Sequence, residues 1–294
     1  MAGKSFLSLC ILPFIFSFLA IAEEPTAVRY VLSPDEKRMP AVFPRELLGK
    51  AMSLCRSANF SLQVLDQPML QGRATLEISE GESNNLHVVW TMTSQQREME
   101  LLPVKFPIYK GLLGYRLLVV RTQDLSRFSH VKNLSDLGKL KGVQGYDWPD
   151  IEILRANGLD VDGYGTTEEM YRLLREGFVD YFPRALIEIE RELALLNTGE
   201  FSVVEGIALL YPAPGYFFTS KQDQALNHCI NDGLNQMHGN GSYQQLFTQY
   251  FGSVLALYNY SNRQVFELTN PIVSEFDSVP TKFFDPIVLP AYKD

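Results

Sequence analysis

Cysteine, histidine and clustered positive charge are all scarce in this sequence. It holds three Cys and four His in 294 residues. His87, His130, His228 and His238 show no metal-ligand spacing with each other or with the Cys, so no metal or other cofactor is expected. Lys and Arg number 26 against 34 Asp and Glu, a net charge of −8, and the basic residues form no cluster. Phosphate contacts need grouped Lys and Arg, so nucleic acid is not an expected partner. There is no Gly-x-Ser-x-Gly elbow, no His-Glu-x-x-His helix and no Gly-Lys-Ser/Thr phosphate loop, and hence no visible nucleophile or metal motif. Internal repeats and low-complexity tracts are also missing. What is present is globular: 46 % hydrophobic and 20 % charged residues argue against disorder, collagen or coiled coil. The length fits one large domain or two of ordinary size.

Only one long apolar stretch exists. Met1 to Lys4 is a short basic start, Phe6 to Leu19 an apolar run, and Ala20-Ile21-Ala22 a small-x-small cleavage pattern before Glu23-Glu24-Pro25. This reads as a secretory signal peptide over residues 1–22. The other reading is a membrane anchor, but the run is shorter than the ~20 residues that cross hydrocarbon. A lipoprotein site at Cys10 is discounted because Leu9 stands where a small residue is needed. Cleavage removes one charged residue, Lys4, leaving 272 residues with a net charge of −9. The product is expected in the periplasm, as a monomer. Cys55 and Cys229 remain, either bridged in an oxidising compartment or left as two buried thiols.

Short strands alternate with helices along the chain. Val28–Leu32, Ser61–Leu65, Leu86–Trp90 and Leu117–Val120 read as strands. Arg45–Arg56 has helical spacing, with Leu47, Leu48, Ala51, Met52 and Cys55 on one face. In the middle, Lys132–Leu140 is a helical approach to a strand at Lys141–Val143. Pro149 suits the first turn of a helix that Asn157-Gly158 ends. Thr166 or Thr167 can cap a helix running to Gly177, with Glu168 and Glu169 where the dipole favours anions. Val179–Phe182 and Tyr216–Thr219 read as strands. Ala185–Asn197, Asp223–His238 and Ser242–Phe251 read as helices. This grammar predicts an α/β fold with mainly parallel pairing. Residues 253–294 carry four Pro and little periodicity. They read as an extended tail anchored by Phe266, Leu268, Phe276, Phe283, Phe284 and Ile287.

Four segments, in order, carry a resemblance. Val88-Val89-Trp90-Thr91-Met92-Thr93-Ser94-Gln95-Gln96-Arg97 is followed by Phe106-Pro107-Ile108-Tyr109. Asn133-Leu134-Ser135-Asp136-Leu137 precedes Val143-Gln144-Gly145. A helical segment ends in Glu176-Gly177-Phe178-Val179-Asp180. Asn240-Gly241-Ser242-Tyr243 opens a helix ending Tyr250-Phe251. Together they resemble the amino-acid-binding family of type II periplasmic solute-binding proteins. The resemblance implies a two-lobed fold with two hinge strands and an extended C-terminal tail. Lobe 1 would span 26–118 plus 212–260, lobe 2 would span 119–211, and the tail 261–294. The ligand would sit between the lobes, where helix N-termini present free amides to anions.

In that family an Arg at the position of Arg97 binds the ligand's α-carboxylate, and an Arg fork suits a carboxylate as Lys does not. The other reading is a solvated Arg at a helix start. Thr91 and Thr93 either join the carboxylate site or cap the helix after Ser94. Tyr146 and Trp148, in Gly145-Tyr146-Asp147-Trp148-Pro149, either close over a ligand or pack the lobe surface. Arg184 departs from the family, which often places an Asp for the ligand ammonium just after the Asp180-like position. Arg184 either faces the cleft, favouring an anionic or neutral far side, or pairs with Glu188 one turn on. Lys110 adds positive charge to the cleft or lies on the surface. Asp35 is a candidate for an ammonium. The expected function is capture of a small carboxylated solute for transport or sensing, with a membrane permease or receptor as partner. The alternatives are a dehydratase-like enzyme, with Glu188, Asp147 or Asp150 as general acid, and a sensory accessory protein.

Overall fold

The computed structural model describes residues 24–34, 42–55, 59–80, 85–196, 199–257, 263–273 and 279–292. The expected signal peptide, Asp35 and Phe276 lie outside the described residues.

The first lobe begins with β1 (Thr26–Val31), α1 (Val42–Ser53) and β2 (Phe60–Leu65), and β2 pairs in parallel with β1. The apolar stripe of α1 is the reason it docks: Leu47, Leu48, Ala51 and Met52 are buried. Next come α2 (Gln71–Glu80), β3 (Val88–Met92), α3 (Gln95–Glu100) and β4 (Leu102–Val104). The helix α2 was not legible in the sequence because its buried set is only Ala74, Thr75 and Ile78.

The chain then enters the second lobe through β5 (Tyr115–Arg121). The short helices α4 (Leu125–Phe128) and α5 (Leu134–Leu137) lead to β6 (Lys141–Gly145). From there α6 (Pro149–Ala156), β7 (Asp160–Tyr164), α7 (Thr167–Glu176), β8 (Phe182–Ala185) and α8 (Leu186–Leu196) follow. Pro149 opens α6 where an amide has no helical partner. The Thr166 hydroxyl caps α7 by accepting from the Glu169 amide, and Gly177 ends it at φ 83°. Two strands, β9 (Phe201–Val203) and β10 (Ile207–Leu210), complete this part before the chain returns.

Back in the first lobe, β11 (Gly215–Thr219) runs between β3 and β4. Two long helices, α9 (Gln224–Gly239) and α10 (Ser242–Leu257), follow. A disulfide joins Cys55, just past α1, to Cys229 in α9, so the bridged alternative is the one adopted.

The expectation of mainly parallel pairing is corrected. Five of the eight strand pairings among the described residues are antiparallel. The long strand β5 has antiparallel neighbours in β8, β9 and β10, and β11 runs back between β3 and β4. Strands that re-enter a lobe from the far side of a crossing arrive in the opposite direction, and local periodicity carries no information about that. The C-terminal segment also does more than cover the body. β12 (Gln264–Glu267) joins the second-lobe sheet, parallel to β10. Phe266, Leu268, Phe283, Phe284 and Val288 are buried.

Candidate functional site

A cavity of about 370 Å³ lies between the lobes. Its apolar wall comes from α1, β3, the segment between β4 and β5, α10 and the turn before α6, through Phe43, Trp90, Tyr109, Trp148, Tyr250 and Phe251. Three cations (Arg116, Arg184, Arg191) and three carboxylates (Asp150, Glu188, Glu192) complete the lining, so its charges balance.

The charges are tightly ordered. Arg116, on β5, pairs with Asp150 in the first turn of α6, and lies 3.9 Å from Glu188. The Tyr211 hydroxyl donates to the same Asp150 at 2.5 Å. Arg184, on β8, forks onto Glu192 with Nε at 2.8 Å from Oε2, and lies 3.1 Å from Glu188. The Tyr171 hydroxyl donates to Glu192 at 2.9 Å. The guanidinium of Arg184 also lies over the rings of Trp148 and Phe182, at 5.1 and 4.8 Å. Burial alone would lower both Arg, but the facing carboxylates outweigh it and hold both above the ordinary range. Burial would raise Glu188; Arg184, Arg116 and Arg191 outweigh it and hold that carboxyl below the usual range. Arg116 Nε and Arg184 Nη1 are buried and make no hydrogen bond with the described residues.

Arg97 sits in the first turn of α3, capped by Ser94, and is 8 % exposed. Its Nη1 donates to Thr91 Oγ1 at 2.6 Å and to the Met92 carbonyl at 2.7 Å. Its Nη2 donates to Gln71 Oε1 at 2.8 Å and, across the cleft, to the Asp147 carbonyl at 3.3 Å. Burial lowers the guanidinium to about 10, opposed by Asp147, Asp150 and Glu100, so it stays charged at neutral pH.

Thr91, Trp148 and Arg184 therefore line the cavity, with Arg97 immediately behind Thr91, Met92 and Gln71. Thr93 does not line it; its hydroxyl donates to Glu98 at 2.7 Å. The cap of α3 is Ser94, not either Thr. Tyr146 is 55 % exposed and stands outside the cavity wall. Lys110 is turned away from the cavity: its ammonium bonds Gln244 and lies 4.9 Å from the Phe247 ring centroid. For Arg184 both readings meet in one side chain, which faces the cavity and pairs with Glu188, with Glu192 as a further partner. Gln71, Arg116 and Glu192 were missed. Arg116 had a signal, a lone Arg in the apolar run Tyr115–Val120. Gln71 had none, because only its place opposite Arg97 gives it meaning. Among the described residues, no three His, Cys, Asp or Glu side chains converge as metal ligands would.

No protein-family model matches the sequence, and no curated protein matches it. Solved structures do match in three dimensions. An ancestral arginine-binding protein bound to arginine superposes with a TM-score of 0.60 at 17 % identity, covering 77 % of this chain and 98 % of that one. The chain has the fold of the periplasmic solute-binding proteins. A putative binding component of an ABC transporter from Wolinella succinogenes, complexed with lysine, matches this fold with a TM-score of 0.58 at 18 % identity, over 76 % of this chain and 95 % of that one. An ancestral amino acid-binding protein, described as a precursor of cyclohexadienyl dehydratase, matches with a TM-score of 0.58 at 15 % identity, again over 76 % and 95 %. No helix among the described residues is long and apolar enough to cross a membrane.

Proposed function

We propose that the protein is an extracytoplasmic solute-binding protein that encloses a small carboxylated solute, an amino acid or a related compound, between its lobes. The observation that carries this reading is Arg97. It is a charged, buried guanidinium at the lobe junction, behind a cavity walled by aromatics. Such a cavity with few converging polar groups is the usual form of a small-ligand site. The solved relatives bind arginine and lysine, which supports an amino-acid-like solute. Arg184 and Arg116, with their free buried N–H groups, are the polar groups we assign to the far side of the solute. Delivery to a membrane permease or receptor is the matching role, and export through residues 1–22 the matching route.

The test is a thermal-shift screen of amino acids, dicarboxylates and small peptides with wild type and Arg97→Ala. A solute at 100 times its dissociation constant stabilises by about 2.7 kcal/mol. A hit that disappears in Arg97→Ala is the expected outcome; equal affinity in both proteins would remove Arg97 from the site.

A dehydratase-like reading rests on one structural relative. Two of its candidate acids are poorly placed for it. Glu188 is held ionised by three Arg, and Asp150 is engaged by Arg116 and Tyr211. A general acid needs a proton to give at working pH, and the Arg cluster disfavours one on Glu188.

A further inference from the structure

The turn between β6 and α6 sends one side chain across the cleft. Asp147 Oδ2 accepts a hydrogen bond from the Gly72 amide at 2.7 Å. Gly72 is the second residue of α2. An amide there has no partner inside its own helix, and the helix dipole favours an anion beside it. A Cβ at position 72 would stand 3.3 Å from Asp147 Oδ2 and Cβ, so the bare glycine lets the carboxylate approach. The neighbouring residue Gln71 accepts from Arg97, and Arg97 in turn donates to the Asp147 backbone carbonyl. One residue of the second lobe thus engages two elements of the first, the α2 N-terminus through its carboxylate and Arg97 through its backbone carbonyl.

The grip is incomplete. Asp147 Oδ1 is buried and makes no hydrogen bond with the described residues. Gln71 and Thr91, which touch Arg97, also line the cavity, so the place opens directly onto it.

We propose that Asp147 latches the lobes, its carboxylate occupying the anion place at the α2 N-terminus and its backbone carbonyl engaging Arg97, and is displaced by the carboxylate of the captured solute. This rests on the solute-binding reading above for its last step only. Asp147 is then a specificity-determining residue: it admits solutes whose carboxylate competes with its own and rejects those without one. A latch that holds nine in ten molecules shut weakens apparent solute affinity about tenfold.

The test needs no solute. Hydrogen exchange at the Gly72 amide and the radius of gyration from solution scattering are measured for wild type, Asp147→Ala and Asp147→Asn, in sodium acetate and in sodium chloride at equal ionic strength. Asp147 is half-buried in a turn, and the Asn variant preserves its volume. In chloride, Gly72 exchange should rise about tenfold in the Ala variant and in the same direction in the Asn variant, with a larger radius of gyration. In acetate, the Ala variant should return toward wild type while wild type itself stays unchanged. Wild-type exchange and dimensions in both variants would overturn the latch. A variant that opens but ignores acetate would overturn the carboxylate place. Because these readouts involve no captured solute, failure of the latch leaves the Arg97 screen standing, and an empty screen leaves the latch result standing.

Discussion

Buried charge in the cavity wall is stabilising only while each partner is present. Removing one member of a buried ion pair leaves the other uncompensated, which costs more than the pair itself contributes. Among the paired charges Arg116, Asp150, Arg184, Glu188 and Glu192, Glu188 is the most open to solvent, its side chain 29 % exposed, and it contacts both Arg184 and Arg116. Arg184, Arg116 and Arg191 overcome its burial and lower its affinity for protons. A carboxyl that is more acidic folded than unfolded stabilises the protein above its unfolded pKa of about 4.3 and loses that contribution as pH falls through the folded value. Glu188→Gln should therefore be less stable than wild type at pH 7 by about 1–2 kcal/mol, given its partial exposure. The gap should narrow as pH drops below about 4.3. Urea unfolding from pH 3 to 7 measures it; a gap constant across that range would show that Glu188 titrates alike in both states.

At the scale of elements, α1 and α9 meet backbone to backbone in the first lobe. Gly233 in α9 lies against the α1 backbone so closely that an added Cβ would stand 2.1 Å from the Ala51 carbonyl oxygen. Backbone cannot swing aside as a flexible side chain can, and the disulfide between Cys55 and Cys229 limits how far the helices can part. Gly233→Ala should destabilise by about 1–3 kcal/mol, the usual cost of overpacking. Gly239, the last residue of the same helix, has open space around its Cβ position. Gly239→Ala should be neutral or stabilising by up to about 1 kcal/mol. Chemical denaturation of the two variants separates steric conflict from helix propensity. Equal effects would mean that the α1–α9 contact yields easily.

Across the whole molecule, the C-terminal segment adds a third tie between the lobes. β12 extends the second-lobe sheet, and Asn157 exchanges hydrogen bonds of 2.8 and 3.0 Å with Thr269. Asn270 then donates to the Pro212 carbonyl at 2.7 Å, beside the second crossing, and the Ile272 carbonyl accepts from Gln95 at the start of α3 in the first lobe. Further on, Phe283 packs on Phe106, and the Tyr292 hydroxyl accepts from the Ala213 amide at 2.9 Å. Each large apolar side chain buried here is worth about 1.5–3 kcal/mol. Ending the chain after Leu257 should lower the melting temperature and, through loss of the third tie, let the lobes separate further in the solute-free protein. Calorimetry and scattering read the two effects; unchanged dimensions would make the segment a covering without influence on lobe motion.

Local chemistry was enough for part of this protein. Pro149 at the start of α6, a Thr cap and the Gly177 stop of α7, and the apolar stripe of α1 follow from rules that act within a few residues, and the sequence alone determined them; which of Thr166 and Thr167 caps was decided by the structure. The place of Arg97 at the start of a helix was legible as well, because the strand, turn and Arg of Val88–Arg97 form one continuous segment; its carboxylate role was only what the family resemblance implied. What lay beyond reach depends on elements far apart in the chain. The antiparallel neighbours of β5, the four-residue strand β12, the place of Gln71 beside Arg97, the fork of Arg184 on Glu192 and the reach of Asp147 to Gly72 are all settled by which surfaces meet. Periodicity fixes the face an element buries but not the partner it buries it against. For that reason Lys110, charged and close in sequence to the first crossing, turns outward to Gln244, while Arg116, six residues later in a strand of apolar neighbours, faces the cavity.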